Sequence, residues 1–157
     1  MATFTERLVQ PAATQATLIS GSTLNGLTNN SIVSGSAFNN LSGQTMDGAT
    51  AGWLVLAYKF QSSPSAGSSI SVWILGAKDH GSNASYEDGA NATYTPDRPP
   101  DAVFPVASDP NAHQVEVPVF LKVGWQMPIL KNQAGQALTA NNTDNFLYLC
   151  AEERAAS

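Results

Sequence analysis

Residues 79–89, DHGSNASYEDG, contain more side chains capable of chemistry than any other segment of this sequence. A hydrolytic triad needs a nucleophile, an imidazole base and a carboxylate that orients the base. His80 and Asp79 are of the last two types, and Ser82 or Ser85 would be the nucleophile. The members of a triad meet in space and need not be adjacent in the chain, so the sequence alone does not exclude a triad here. However, the Gly-x-Ser-x-Gly turn that exposes many nucleophilic serines does not occur in the chain.

The same segment also offers oxygen ligands for a cation. Asp79, Gly81 and Asn83 alternate loosely as in a calcium-binding loop. The sixth position lacks the glycine of an EF-hand, and the twelfth lacks its glutamate. His80 and His113 are the only histidines, too few for a standard zinc site without further ligands. We therefore expect a surface loop whose Asp and Asn side chains cap turns, with no catalytic residue, no metal and no cofactor.

The single cysteine, Cys150, excludes an internal disulfide. It alternates with Phe146 and Tyr148, which predicts that the three side chains share one face of a strand. From this position we expect a buried structural thiol and not a nucleophile.

A proline-rich segment is a candidate for contact with another protein. Residues 94–101, YTPDRPPD, contain three prolines, which predict a stiff, extended loop. We expect this loop to lay Arg98, between Asp97 and Asp101, against a neighbouring subunit.

The three tryptophans are predicted to differ in burial. Trp53 and Trp73 lie in strands that are apolar on both faces, so we expect them in the core. Trp125 follows a glycine at the start of a strand, and we expect it to be exposed at an interface. An exposed ring beside Gln126 and Asn132 would also suit a sugar-binding platform.

The composition excludes several classes of function. The chain has 157 residues, the size of one domain, and only 12% are charged, about half of the usual share of roughly 25%. The net charge of −5 gives no basic footprint for nucleic acid. No apolar run approaches the length of about 18 residues that spans a membrane. The N-terminus lacks the basic and apolar regions of a secretory signal, so we expect no leader, no nucleic acid and no membrane contact.

The sequence predicts that strands, not helices, position the side chains named above. Alternating apolar residues predict strands over residues 53–60, 69–77, 102–107, 113–121, 124–132 and 145–151. The first two flank Pro64 and Gly67 and are predicted to form a hairpin. Pro118 makes 113–121 an edge or bulged strand. No sustained helical period occurs, so we predict an all-β fold with a single antiparallel β-sandwich.

The N-terminal third has a different character. Residues 17–52 are rich in Ser, Thr, Asn and Gly but carry spaced apolar residues, which predicts short strands that join the sandwich. Residues 1–16 are predicted to form an extended N-terminal arm. We expect the arm to order against a neighbouring subunit or shell through Phe4, Leu8 and Val9.

Two segments resemble a family of tailed-bacteriophage virion structural proteins. They are WLVLAYKFQSSPSAGSSISVWILGAKDHGSNASYEDG, residues 53–89, and WQMPILKNQAGQALTANNTDNFLYL, residues 125–149. The shared pattern has a strand ending in Phe, a Pro-x-Ala-Gly turn, a second apolar strand and Tyr-x-Asp-Gly. Gly-Gln-Ala-Leu and a final strand follow later in the chain. His80 stands where glycine is more usual, and residues 1–52 lie outside the resemblance, which covers residues 53–150.

The resemblance implies a jelly-roll-like sandwich over residues 17–157 and a capsid decoration, or cement, protein. Such a protein is not an enzyme, and the family offers no catalytic residues to transfer. It is made in the host cytoplasm and placed on the capsid exterior of the virion. Its partners would be the major capsid protein and itself, as a homotrimer. A tail, baseplate or fibre component, a glycan-binding module for host attachment, and a hydrolase are the alternatives.

Overall fold

The computed structural model describes residues 15–41, 48–77, 86–87 and 95–151. Within these ranges the chain forms nine strands and one helix of four residues. They are β1 Gln15–Ile19, α1 Gly21–Leu24, β2 Ile32–Ser34, β3 Phe38–Asn39, β4 Ala51–Tyr58, β5 Ser69–Gly76, β6 Ala102–Pro105, β7 His113–Phe120, β8 Trp125–Gln133 and β9 Phe146–Ala151. The six strands predicted from residue 53 onward are all present, with bounds within two residues of those expected.

The strands form two antiparallel sheets that pack face to face. The first sheet has the order β1-β9-β4-β7, and the second has the order β2-β8-β5-β6 with β3 also paired to β8. β2 and β3 follow each other along β8 and so act as one interrupted strand. Counted this way, each sheet has four strands, and the chain changes sheet at every step except from β5 to β6, which is the strand order of a jelly roll. The predicted all-β sandwich is confirmed.

The core lies between the two sheets and follows the period of two along each strand. In β4 the even-numbered residues point inward, and Leu54, Leu56 and Tyr58 are at most 1% exposed. The facing sheet supplies Ile70, Val72 and Ile74 of β5, Phe104 of β6 and Leu130 of β8, and the neighbouring strand β9 adds Leu147 and Leu149. Each fully buried aliphatic side chain contributes about 1.5–3 kcal/mol to folding, so this layer is the main source of stability.

The predicted hairpin between residues 53–60 and 69–77 is wrong. β4 pairs with β7 and β9, whereas β5 lies in the other sheet between β8 and β6. After β4, Phe60 pairs with Leu138 in the segment that follows β8, and the chain crosses between sheets before the turn at Gly67. Because both strands are apolar on both faces, their pattern fits either sheet and does not identify the pairing partner.

β7 is an edge strand, as Pro118 predicted. Among the described residues it pairs only with β4, and Pro118 stands opposite Trp53 in that register. Proline has no N–H to donate, so an edge is the place where a sheet tolerates it.

The N-terminal third contributes β1, β2, β3 and a short helix that the sequence did not predict. α1 is too short to show a helical period, and its first residue, Gly21, packs so closely that an added Cβ would lie 2.0 Å from the Asn142 carbonyl oxygen. β1 begins at Gln15, inside the predicted arm of residues 1–16. Residues 1–14 of that arm lie outside the described part of the chain.

Buried amide side chains connect the irregular segments to the strands. Asn132 of β8 donates to the carbonyls of Leu27 and Gln136, at 2.9 and 2.8 Å. Its carbonyl accepts from the Ala134 N–H at 3.0 Å. The other amides with a role of this kind are Asn40, Gln126 and Asn145. These contacts satisfy backbone groups that no strand partner reaches.

Replacing Asn132 by alanine should lower the free energy of unfolding by about 3 kcal/mol, because a buried backbone group left without a partner costs about 1–3 kcal/mol. Gln114, an exposed amide on β7, is the matched control, and Gln114→Ala should change stability by less than about 0.5 kcal/mol. Urea denaturation of the two variants measures both values. Equal destabilisation by the two substitutions would contradict the role given to Asn132.

Candidate functional site

One side of the first sheet, formed by β1, β9, β4 and β7, points away from the core. We call this side the outer face. Its residues are Gln15, Thr17, Ala51, Trp53, Val55, Ala57, Gln114, Glu116, Pro118, Phe120, Phe146, Tyr148 and Cys150. Most of these side chains are apolar, and Glu116 is the charged one among the described residues of this face.

Two large apolar side chains on the outer face are exposed. Trp53 of β4 is 37% exposed, and Phe120, at the end of β7, is 88% exposed. The register places Trp53 opposite Pro118 and Ala51 opposite Phe120, so both exposed rings lie toward the same end of the sheet. Large apolar patches on a soluble domain commonly mark a contact with another molecule.

The exposed surface continues toward the turn between β7 and β8. Asn40, at the end of β3, donates to the Lys122 carbonyl at 2.7 Å and accepts from the Gly124 N–H at 2.8 Å. These bonds hold the segment beside Leu41 against that turn, where Val123 is also exposed. The amide therefore fixes a second group of exposed apolar side chains near Phe120.

Phe146 and Tyr148 stack on each other along β9. Their ring centroids are 5.6 Å apart and their planes differ by 14°. Each ring therefore covers one face of the other, and both are half-buried. The pair gives the outer face an ordered aromatic row beside Trp53.

Cys150 lies on the outer face and is half-buried, so the predicted burial of its thiol is wrong. The alternation with Phe146 and Tyr148 was predicted correctly, but their shared side faces away from the core. Burial, with a smaller contribution from the nearby Glu116 carboxylate, raises the pKa of the Cys150 thiol. The thiol is therefore protonated near neutral pH, and this side chain is not an activated nucleophile.

Over β5 and β8, the outer side of the second sheet is covered by the chain itself. Trp73 and Leu75 of β5 pack there with Ile129, Ala77 and Tyr86 in a second apolar cluster. Trp73 is 4% exposed and its indole N–H donates to the Arg98 carbonyl at 2.9 Å. The two outer sides of the sandwich therefore differ: one is covered by the β5–β6 connection, and the other presents Trp53.

Arg98 holds this cover in place. Its guanidinium donates to the Ile74 carbonyl at 2.9 Å, to Asp101 at 2.9 Å and to Glu87 at 3.1 Å. Glu87 also pairs with Lys122. Arg98 thus pairs with Asp101 within the chain, and the expected contact of Arg98 with a neighbouring subunit stays a prediction.

Ionisation couples these groups. Burial alone would raise the pKa of Glu87, but Lys122, the Gly76 N–H and Arg98 outweigh it, and the pKa lies below its ordinary value of 4.5. Asp101 and Glu87 in turn raise the pKa of Arg98 against the opposing effect of burial. Glu87 is therefore ionised and Arg98 protonated at neutral pH.

A hydrogen bond between a histidine and a carboxylate fixes the connection between β6 and β7. His113 Nε2 lies 2.8 Å from Asp109 Oδ1, and the imidazole stacks on Tyr58 with centroids 5.6 Å apart. The Tyr58 hydroxyl accepts from the Ala107 N–H at 2.9 Å. The hydrogen bond from His113 is the largest effect on Asp109 and lowers the pKa of its carboxyl. These contacts give His113 a structural role.

The structure agrees with some of the predicted positions of site residues and disagrees with others. Trp125 is half-buried and packs on the second cluster, while Trp53, which was expected in the core, is the exposed tryptophan. The expectation for Trp53 is therefore wrong, because only the register shows which side of β4 lacks a cover. Other predicted residues lie outside the described part of the chain, namely Phe4, Leu8, Val9, Asp79, His80, Ser82 and Ser85.

The described residues contain no group of three His, Cys, Asp or Glu side chains that could hold a metal. They also contain no helix with the length and apolar character needed to cross a membrane. Comparison of the chain with protein-family profiles, with curated proteins and with solved structures finds no match.

Trp73 on the covered side and Trp53 on the open side should differ in how much stability is lost when each is replaced. Trp73→Ser should destabilise the chain by about 3–5 kcal/mol, the usual cost of truncating a buried aromatic ring. Trp53→Ser should cost less, about 2–3 kcal/mol, because its ring is already 37% exposed. Thermal and urea unfolding provide the comparison. A Trp53→Ser variant as unstable as Trp73→Ser would show that this ring is part of the folded core.

Acid should weaken the ion pairs of Glu87. Because its folded pKa lies below 4.5, its stabilising effect is present above that pH and is lost as the pH falls through the folded pKa. Glu87→Gln should therefore reduce stability at neutral pH by less than about 1 kcal/mol, as for partly exposed ion pairs. Its difference from wild type should shrink in acid. Urea unfolding of wild type and Glu87→Gln, measured from neutral pH down to below pH 4.5, tests whether the difference in stability shrinks. Glu116→Gln is the control. A difference that does not change with pH would contradict it.

Proposed function

We propose that this chain is a non-enzymatic structural subunit that works by packing its apolar surface against other proteins. The observation that carries the proposal is the outer face, where Trp53 and Phe120 are exposed among neutral side chains. Specific interfaces are depleted of charge at their centre and rely on a few aromatic anchors. The outer face has both properties.

The finer proposal is that the subunit decorates the capsid exterior of a tailed bacteriophage. It rests on the resemblance of residues 53–150 to virion structural proteins, and the jelly-roll strand order supports it because viral capsid domains often have this architecture. The partners would be the major capsid protein and further copies of the chain, as a homotrimer. A surface with 12% charged residues lowers the desolvation cost of such contacts.

A glycan-binding module is the second candidate function, and the exposed indole of Trp53 favours it because an indole can stack on a sugar ring. The stacked pair Phe146 and Tyr148 argues against it, since each of these rings covers a face of the other that a sugar would need. Contact with a protein would therefore use the stacked rings as well as the exposed indole, whereas a sugar would use the indole alone.

Antibody-labelled virions that carry the full chain should show the label on the head shell by electron microscopy. The double variant Trp53→Ser with Phe120→Ser should bind particles about tenfold more weakly or worse, because it removes both aromatic anchors. Val103→Ser is the matched control, since Val103 is 48% exposed on β6, in the other sheet, and should not affect binding.

Label on the tail would replace the decoration role by that of a tail, baseplate or fibre component. Virions without label, together with specific signals on a glycan array, would overturn the structural role in favour of the glycan-binding module.

A further inference from the structure

The outer face lacks a cover among the described residues, and its size limits what can fill it. Four strands at a spacing of about 4.8 Å, over about six residues of 3.3 Å each, give a flat area of about 400 Å². A standard interface buries about 800 Å² on each partner. The outer face is therefore smaller than a standard interface and has about the size that one extended peptide segment can cover.

The chain contains a segment of suitable length next to this sheet. Fourteen residues precede β1, and Gln15, its first residue, lies on the outer face opposite Cys150. Nine residues span at most about 30 Å when extended, which exceeds the width of about 19 Å of a four-stranded sheet. Residues 1–9 can therefore cross the whole outer face, and residues 10–14 provide the connection.

The chemistry of this segment matches the face. Phe4 and Leu8 are four residues apart, so in an extended segment both side chains lie on the same side. The charges of Glu6 and Arg7 cancel within the segment. The segment thus offers apolar groups to an apolar surface and adds no net charge to it.

The direction of β1 decides which copy receives the segment. β1 starts at the end of the sheet where β4 begins and β7 ends, beside Ala51 and Phe120. A chain that continues in that direction leaves the sheet, and only a full reversal within residues 10–14 would return it to its own outer face. A neighbouring copy at this end receives the segment without a reversal.

We propose that residues 1–9 of one copy lie on the outer face of the next copy and join the subunits head to tail. The donor segment and the receiving face are different surfaces, so successive contacts close into a ring when the rotation between copies allows it. Three copies would give the homotrimer. This inference rests on the proposed self-association, but it identifies the two surfaces that meet.

Cysteine cross-linking tests the contact in the full-length chain. Cys150 is the only cysteine and lies on the outer face opposite Trp53, so Leu8→Cys should form an intermolecular disulfide with it under mild oxidation by copper–phenanthroline. Peptide mapping of the multimers should identify the link between positions 8 and 150. The controls are wild type and Leu8→Cys combined with Cys150→Ser, neither of which should give this link.

Three outcomes would overturn the proposal. A link between positions 8 and 150 within a monomer would assign the segment to its own outer face. Disulfide dimers through Cys150 in the wild type would indicate that a second copy packs face to face. The absence of any link to position 8 would leave the segment with no place on this surface.

A second measurement does not depend on a disulfide. Phe4→Ser combined with Leu8→Ser should weaken self-association about tenfold or more by light scattering, because two apolar anchors are lost. Circular dichroism should stay unchanged. Thr3→Ser combined with Thr5→Ser is the matched control and should associate as wild type.

The inference and the proposed function can fail separately. Particle binding without the link between positions 8 and 150 would refute the inference alone. The link without any particle binding would refute the capsid role alone.

Discussion

A two-layer sandwich buries one side of each strand, and this constraint determines which surfaces the molecule must cover by other means. β4 and β5 are apolar on both sides, so each needs a second cover beyond the shared core. For β5 the connection through Tyr86 and Arg98 provides it, and Trp73 is buried beneath. β4 has no equivalent cover among the described residues, which leaves Trp53 partly exposed. The same constraint thus produces a closed side and an open side.

The low charge of the chain shapes how its loops are held. Where a backbone group is buried away from a strand partner, Asn40, Asn132 and Asn145 supply amide groups, which cost less to bury than ions. The ion pairs concentrate at the covered side, around Glu87 and Arg98. The outer face is therefore left almost neutral, and contact with another protein there does not require desolvation of many charges.

Local pattern was enough to predict the strands and their class. Alternation located the six strands from residue 53 onward, and Pro118 identified β7 as an edge. Pairing partners were not predictable, because β4 and β5 fit either sheet and their partners are distant in the sequence. The exposure of Trp53 depended on that pairing, so the open side could not be found from composition or periodicity. The sequence also predicted surface contacts at Phe4, Leu8, Val9, Arg98 and Trp125, and of these Trp125 is half-buried against the second cluster.

The edge strand also constrains how the subunit can associate. An exposed apolar sheet invites uncontrolled pairing at its edge, which natural sheets prevent with proline or charge. β7 carries both, since Pro118 lacks an N–H and Glu116 stands two residues before it. A strand added beside β7 would therefore lose a hydrogen bond and meet a carboxylate. Side-by-side extension is therefore disfavoured at β7, and the contact proposed for this sheet packs across the outer face instead.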